Sequence, residues 1–451
     1  MKYQVELPNA DHMLRQKCYD RAEDKYGSPL PDAVRDRLDL EVTAIAKGRY
    51  SSMYLIVSEL ADVNAGLPVT VRGTLGASFV AYMLHLSTCN SLPPHYHCST
   101  CHHYAEIDIG PSMVCDLPVK KCPLCGADML PDGYNLLPEI HMGVDFNKEP
   151  IFHLNMTQNG RRLAIQHLKD VFGDNHICRA GVKRLMKKTG SIRRSTHPSG
   201  IYIVPSDCQI SEITDLRPCN PDDEHNLMVT EEDYTTLDLL LPRLNLSVLP
   251  QLDMLLFLKQ ETKYDYREIP MSALSDPAVL MIAEKRSNIY PAAIAWHPGE
   301  RIRRKAFRLT YPTSLADLLR LEGALHGFAT WIENGECLIE KGFCLSDLIT
   351  SRDDLIETLL AAGIDKHYAF SMLSAIRPGA GLTDEMILSI QKAGIPDWYI
   401  NSLKRIKYLF PRSQAIEYAV QEAKLAFYQD RFPEEFIRVF NRVAELYDNP
   451  V

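Results

Sequence analysis

Two cysteine pairs of identical form, Cys98-x2-Cys101 and Cys122-x2-Cys125, are separated by 20 residues and constrain this chain more than any other feature. Each pair turns two thiolates toward one point, and two pairs supply the four ligands a tetrahedral zinc ion takes. Such a site drives local folding, because the unfolded segment cannot hold the ion. Residues 90–135, rich in Cys, His, Pro and Gly, therefore read as a compact zinc-binding insert. A closed four-sulfur site leaves no open coordination position, so its expected role is structural. His95, His97, His102, His103 and Cys115 are near enough in sequence to replace a thiolate.

With 12 cysteines in 451 residues, the chain is too large to need a disulfide framework, and the thiols fit a reducing compartment. The first residues are polar, with Glu6, Asp11 and Arg15, and form no secretory segment. The most apolar stretch, residues 237–258, is broken by Pro242, Arg243, Pro250 and Asp253, which excludes one membrane-crossing helix. Both features point to the cytoplasm and to no membrane partner. The net charge of −9 argues against indiscriminate coating of nucleic acid. Its distribution is uneven, however. Residues 175–206 hold no Asp or Glu but include Arg179, Lys183, Arg184, Lys187, Lys188, Arg193 and Arg194. A second cluster comprises Arg301, Arg303, Arg304, Lys305 and Arg308. Each is either a DNA-backbone contact stripe or a solvated helix face.

Apolar spacing predicts helices over residues 11–47, interrupted at 27–31, and over 51–64, followed by a short strand at 69–71. Strands are expected at 150–156 and 200–205, and from about 266 onward the pattern is helical. The fold class is α+β, with an all-helical second part. Between the 69–71 strand and the apolar run from Phe79 lies Arg72-Gly73-Thr74-Leu75-Gly76-Ala77-Ser78. Glycines there allow a phosphate to approach the backbone, and the following helix start offers free N–H groups. Thr196-His197-Pro198-Ser199-Gly200 precedes the second strand, and a lone His before Pro is by itself a turn residue.

Together these segments resemble the PolC-type DNA polymerase III alpha subunit, the C-family replicative polymerase of bacteria. Arg72, Gly73, Gly76 and Ser78 match its Ser-Arg-Gly-Ser-x-Gly-Ser-Ser phosphate loop, and His197, Pro198 and Gly200 match its Gln-His-Pro-Gly-Gly-Ile motif. Further matches include Leu325-His326-Gly327, Ser351-Arg352-Asp353-Asp354, Arg377-Pro378-Gly379 and Ile395-Pro396-Asp397-Trp398. The resemblance implies a polymerase beta-like palm with a zinc-knuckle insert and helical fingers. Residues 1–89 would be the first part of the palm, 90–135 the insert, 136–265 the second part of the palm with a remnant thumb at 160–195, and 266–451 the fingers. It also implies nucleotide contacts at Arg72, Gly73, Gly76, Ser78, His197 and Gly200, and DNA or nucleotide and replication proteins as partners.

The resemblance fails at the catalytic carboxylates. The family strand Pro-Asp-Ile-Asp-Leu-Asn-Phe holds its metal ions through two aspartates at i and i+2, which share one strand face. Here Pro150, Leu154 and Asn155 match, but Ile151 and His153 take the aspartate positions. The third aspartate lies in a Leu-Lys-Leu-Asp-Ile-Leu strand, whose expected counterpart is residues 246–252 with Pro250 in its place. Asp238 and Asp253 flank that segment and would enter with a shifted register, and Asp145 and Glu149 precede the first strand. The expectation is a PolC-like core without polymerase activity, serving as a DNA- or nucleotide-binding or replication-associated scaffold. The alternative is a DNA-directed DNA polymerase with an altered site, and magnesium is expected only in that case.

Overall fold

A computed structural model describes residues 3–110, 113–186, 192–219, 226–285, 299–376 and 380–448. Lys187, Lys188 and the Arg377-Pro378-Gly379 motif lie outside the described residues. Three helices lead the chain, α1 (Ala10–Tyr26), α2 (Asp32–Lys47) and α3 (Ser51–Val63). The break between the first two falls at the Gly27 to Pro31 segment, where Gly27 has φ +81° and ends α1.

The strands fall into two sheets. The small sheet contains β2 (His95–Cys98), β3 (Tyr104–Glu106), β4 (Lys120–Lys121) and β5 (Asp128–Asp132), in the order β3-β2-β5-β4. The large sheet contains β1 (Val69–Val71), β6 (Phe152–Met156), β7 (Ile177–Leu185), β8 (Ile192–Ile203), β9 (Leu216–Arg217), β10 (Val229–Asp233) and β11 (Arg243–Val248). Its order is β1-β6-β11-β8-β7-β10-β9. β6 and β11 run parallel as its second and third strands, with Asn245 opposite His153 and Ser247 opposite Asn155. Alternation does the rest. Phe152, Leu154, Met156, Ile201, Ile203, Leu244 and Leu246 are buried against the three leading helices and the Gln158–Phe172 helix. Burial of each such side chain contributes roughly 1.5–3 kcal/mol. The opposite face keeps the polar members of the same strands.

Two expectations change here. The 246–252 strand ends early: Pro250 opens the Pro250–Thr262 helix at its first turn, because proline has no N–H for a ladder but fits a helix start. Over 160–195, the stretch expected as the remnant thumb, the described residues form one helix and the antiparallel pair β7–β8 of the large sheet. The described members of the first basic cluster thus lie on paired strands and not on a helix face.

The second basic cluster lies on the Glu300–Thr310 helix, with Arg303 fully buried. Its guanidinium binds both Glu322 and Glu422, and Nε donates to the Ala283 carbonyl at 3.1 Å. This network joins four helices of the second part, whose buried residues form one continuous apolar cluster running to Val443. No helix among the described residues is long and apolar enough to cross a membrane.

Deleting the Arg303 charge removes the guanidinium that two buried carboxylates share. Arg303→Met is expected to cost about 3–5 kcal/mol, read as a lowered urea midpoint. Adding Glu322→Leu and Glu422→Leu is expected to recover most of that loss in the same measurement.

Candidate functional site

The polar face of the large sheet and the Arg412–Arg431 helix enclose a cleft of about 760 Å³. Arg72, His153, Arg161, His197, Ser247 and Gln421 are among the residues that line it. The Arg72 amide donates to the His153 carbonyl at 2.9 Å, which fixes the phosphate-loop candidate against β6. His153 Nε2 lies 2.6 Å from Ser247 Oγ, and Asn155 Nδ2 donates to Thr70 Oγ1 at 3.4 Å.

His197 arrives by a different device. Between the pairs Arg179↔Ile201 and Gly181↔Thr196, four residues of β8 oppose one of β7. That bulge holds His197-Pro198-Ser199-Gly200 and pushes the imidazole toward the cleft. Nδ1 accepts from the Gly200 amide at 2.9 Å and the Ser199 amide at 3.2 Å. A Cβ on Gly200 would come within 2.8 Å of the Ala180 Cβ, so glycine is needed for β8 to pack here.

The rest of the expected phosphate loop does not reach the cleft. Ser78 is fully buried, and its Oγ donates to Glu41 at 2.7 Å. The Phe79 and Val80 amides also donate to the Glu41 carboxylate, at 3.0 and 3.1 Å. An internal carboxylate therefore occupies the helix start assigned to a nucleotide phosphate. Gly76 is buried beside Ser413, and the Gly73 amide donates to Gln414 at 2.9 Å. Of the four loop residues, Arg72 alone lines the cleft.

The expected catalytic positions separate as well. Ile151 precedes β6 and is 62% exposed, while Pro250 lines the cleft from the helix start. The strand residue opposite His153 is Asn245, an amide that donates to the Phe152 carbonyl at 3.5 Å. Sequence reasoning missed it by placing Pro250 in register. Laying Leu-Lys-Leu-Asp-Ile-Leu over Pro242-Arg243-Leu244-Asn245-Leu246-Ser247 would have found it.

No flanking acid replaces the missing ones. Asp238 bonds to Tyr202 and Arg243, and Asp253 to the Gln158 amide and Tyr447. Asp145 pairs with the exposed His367, and Glu149 is itself exposed. Glu422 is the one carboxylate among the described residues lining the cleft, and Arg303 holds it.

Charge in the cleft is consequently positive. Burial, with Arg72, His197 and Arg243 facing it, pushes His153 down to about 3. Burial and the neighbouring Arg243 and Arg179 push His197 down to about 4. Both imidazoles are neutral at pH 7, leaving the arginines as the cationic groups. On the hairpin beyond, like charges face each other at Lys183↔Arg194 and Arg184↔Arg193. Lys183 is bridged by Glu232 and Arg194 by Glu231, both at 2.8 Å, whereas Arg184 and Arg193 are exposed at the surface. Arg179 reaches back to the Pro198 carbonyl at 3.4 Å.

The four knuckle cysteines converge apart from the cleft. Cys98 and Cys125 sulfurs lie 3.5 Å apart, as do those of Cys101 and Cys122, and one atom from each of the four falls within 4.8 Å of the others. Tetrahedral zinc with bonds of about 2.3 Å requires sulfur separations of about 3.8 Å, so the donor set fits. The Cys101 backbone amide holds the Cys98 thiol down to about 6, toward the thiolate a metal needs. Cys115 is buried in the helical part's core instead, and His102 Nδ1 lies 3.1 Å from the Lys25 carbonyl.

Residues 12–195 match the family described as the bacterial DNA polymerase III alpha NTPase domain. Similarity to named proteins runs through the whole chain. A PolC-type DNA polymerase III of Caldanaerobacter subterraneus subsp. tengcongensis is 31% identical, covering 96% of this chain and 34% of its own length. That of Thermotoga petrophila is 31% identical over 99% of this chain and 36% of its own, and that of Oceanobacillus iheyensis 30% over 96% and 33%. This chain is a relative of PolC-type DNA polymerase III. It spans about a third of the length of the curated relatives it matches.

The same burial that keeps His153 neutral acts on His141 of this PolC relative, pushed down to about 3 between Tyr54 and Thr74. An imidazole with a depressed folded pKa favours folding above its unfolded value near 6.5, and that contribution is lost as pH falls toward the folded value. The melting temperature is expected to drop steadily between pH 6.5 and 4. In His141→Phe the same calorimetric series is expected to give a shallower fall.

Proposed function

We propose that this PolC relative has lost polymerase chemistry and retains the palm as a cationic platform for the phosphates of DNA or a nucleotide. One observation carries the reading: where β6 and β11 meet, an imidazole, an amide and a hydroxyl stand side by side, at His153, Asn245 and Ser247. Two-metal nucleotidyl transfer needs converging carboxylates there to activate the primer hydroxyl and neutralise the triphosphate. Magnesium, which prefers oxygen donors, finds none that is charged. On this reading Asn245, not Pro250, is the counterpart of the third aspartate. The four cysteines hold a structural zinc that ties the small sheet together, and their closed tetrahedral set supplies no reaction step.

Arg72 and Arg161 meet phosphate inside the cleft, with His197 neutral beside them. The backbone beyond is followed by the exposed Arg184 and Arg193 of the hairpin. Arg161 and Arg179 both donate to the Pro198 carbonyl, at 3.3 and 3.4 Å, whereas Lys183 and Arg194 are already paired with carboxylates and contribute less. Replication proteins are partners of the resulting complex rather than of the cleft itself.

Purified protein with primed template, deoxynucleotides and magnesium or manganese is expected to give no primer extension, and extension by the unaltered chain would overturn the proposal. The DNA-binding part has its own measurement. Filter binding across a salt series is expected to give a negative slope, which Arg184→Ala and Arg193→Ala each reduce by about 1. A flat salt response would remove DNA from the reading while leaving the loss of chemistry standing.

A further inference from the structure

The small sheet has two faces, and the cysteines use only one. Tyr96 and Cys98 pack with Cys122 and Met129 on that side. His95 and His97, two residues apart on β2, point to the other. The register brings Asp132 of β5 opposite His95 and Tyr104 of β3 opposite His97. One ligand atom each from His95, His97 and Asp132 lies within 4.8 Å of the others.

What marks this group is how its hydrogen bonds are left. His95 is fully buried, and its Nδ1 lies 2.8 Å from the Pro93 carbonyl. A carbonyl accepts only, so Nδ1 carries the proton and Nε2 presents a lone pair. That Nε2 has no hydrogen-bond partner, nor have the buried Nδ1 of His97 and hydroxyl of Tyr104. Buried polar atoms are nearly always paired, and three unpaired in one cluster are costly. A backbone carbonyl fixing one ring nitrogen while the other faces a shared point is the usual arrangement around a metal-bound histidine.

We propose that His95, His97 and Asp132 form a second metal site, separate from the cysteines, for a borderline transition dication such as zinc or cobalt. Two imidazoles and one carboxylate select for such an ion and against magnesium or calcium, which take more oxygen donors. Tyr104 closes the site on the β3 side. Asp132 does not face the ion alone. Its Oδ2 accepts from Lys25 and Asn90, both at 2.8 Å, and its Oδ1 from the Gly133 amide at 2.9 Å. The Lys25 ammonium therefore lowers the site's affinity and holds the carboxylate in place.

The full chain, stripped with chelator under reducing conditions, is titrated with cobalt(II) alone. Two equivalents are expected: one with strong sulfur-to-cobalt charge-transfer absorption from the cysteines, one with only weak bands. His97→Val and His95→Phe are each expected to lose the second equivalent and keep the first, whose sulfur band also reports that the small sheet has folded. Lys25→Met is expected to tighten the second equivalent by about tenfold or more. A single equivalent in the unaltered chain and in Lys25→Met would mean that the cluster holds a buried water only, and would overturn the proposal. Two equivalents surviving in both histidine variants would overturn it equally.

Discussion

The parallel pairing of β6 with β11 is the constraint on which the rest of the molecule depends. Because a strand alternates its side chains, one register assigns Phe152, Leu154, Leu244 and Leu246 to the core and His153, Asn155 and Ser247 to the cleft, with Asn245 buried opposite His153. A slip of one residue would exchange the two sets, placing polar groups among the leading helices. The apolar half of the pattern therefore determines where any chemistry in the other half can lie. On the polar side of these strands stand His153, Asn155, Asn245 and Ser247, none of them a carboxylate.

Much of this was legible from residues alone, where a local signal had one physical solution. The paired knuckles converge as their spacing required, and the Gly27 to Pro31 break separates two helices whose burial follows the apolar spacing. Arg72 and His197 meet in one cleft although 125 positions separate them, which the family motifs implied and composition did not.

What stayed hidden depends on distant partners. Nothing around Ser78 announces that Glu41 fills the helix start beside it, since the two meet only when α2 packs against the loop. Arg303 reads as one cation in a basic run, yet two glutamates from other helices draw it into the core. A proline in an apolar run is conspicuous and Asn245 is quiet, since only the pairing of β6 with β11 shows that it stands opposite His153. The basic cluster looked like one stripe, but β10 threads Glu231 and Glu232 alongside it and divides engaged from exposed cations.

The Glu41 clamp couples the stability of the chain to the shape of its cleft. Its carboxylate holds Ser78 and two backbone amides in a fully buried position, at the far end of the loop that carries Arg72. Loosening that end would strand a buried carboxylate without its donors, so the same contacts that stabilise the fold also keep the arginine at the other end in place.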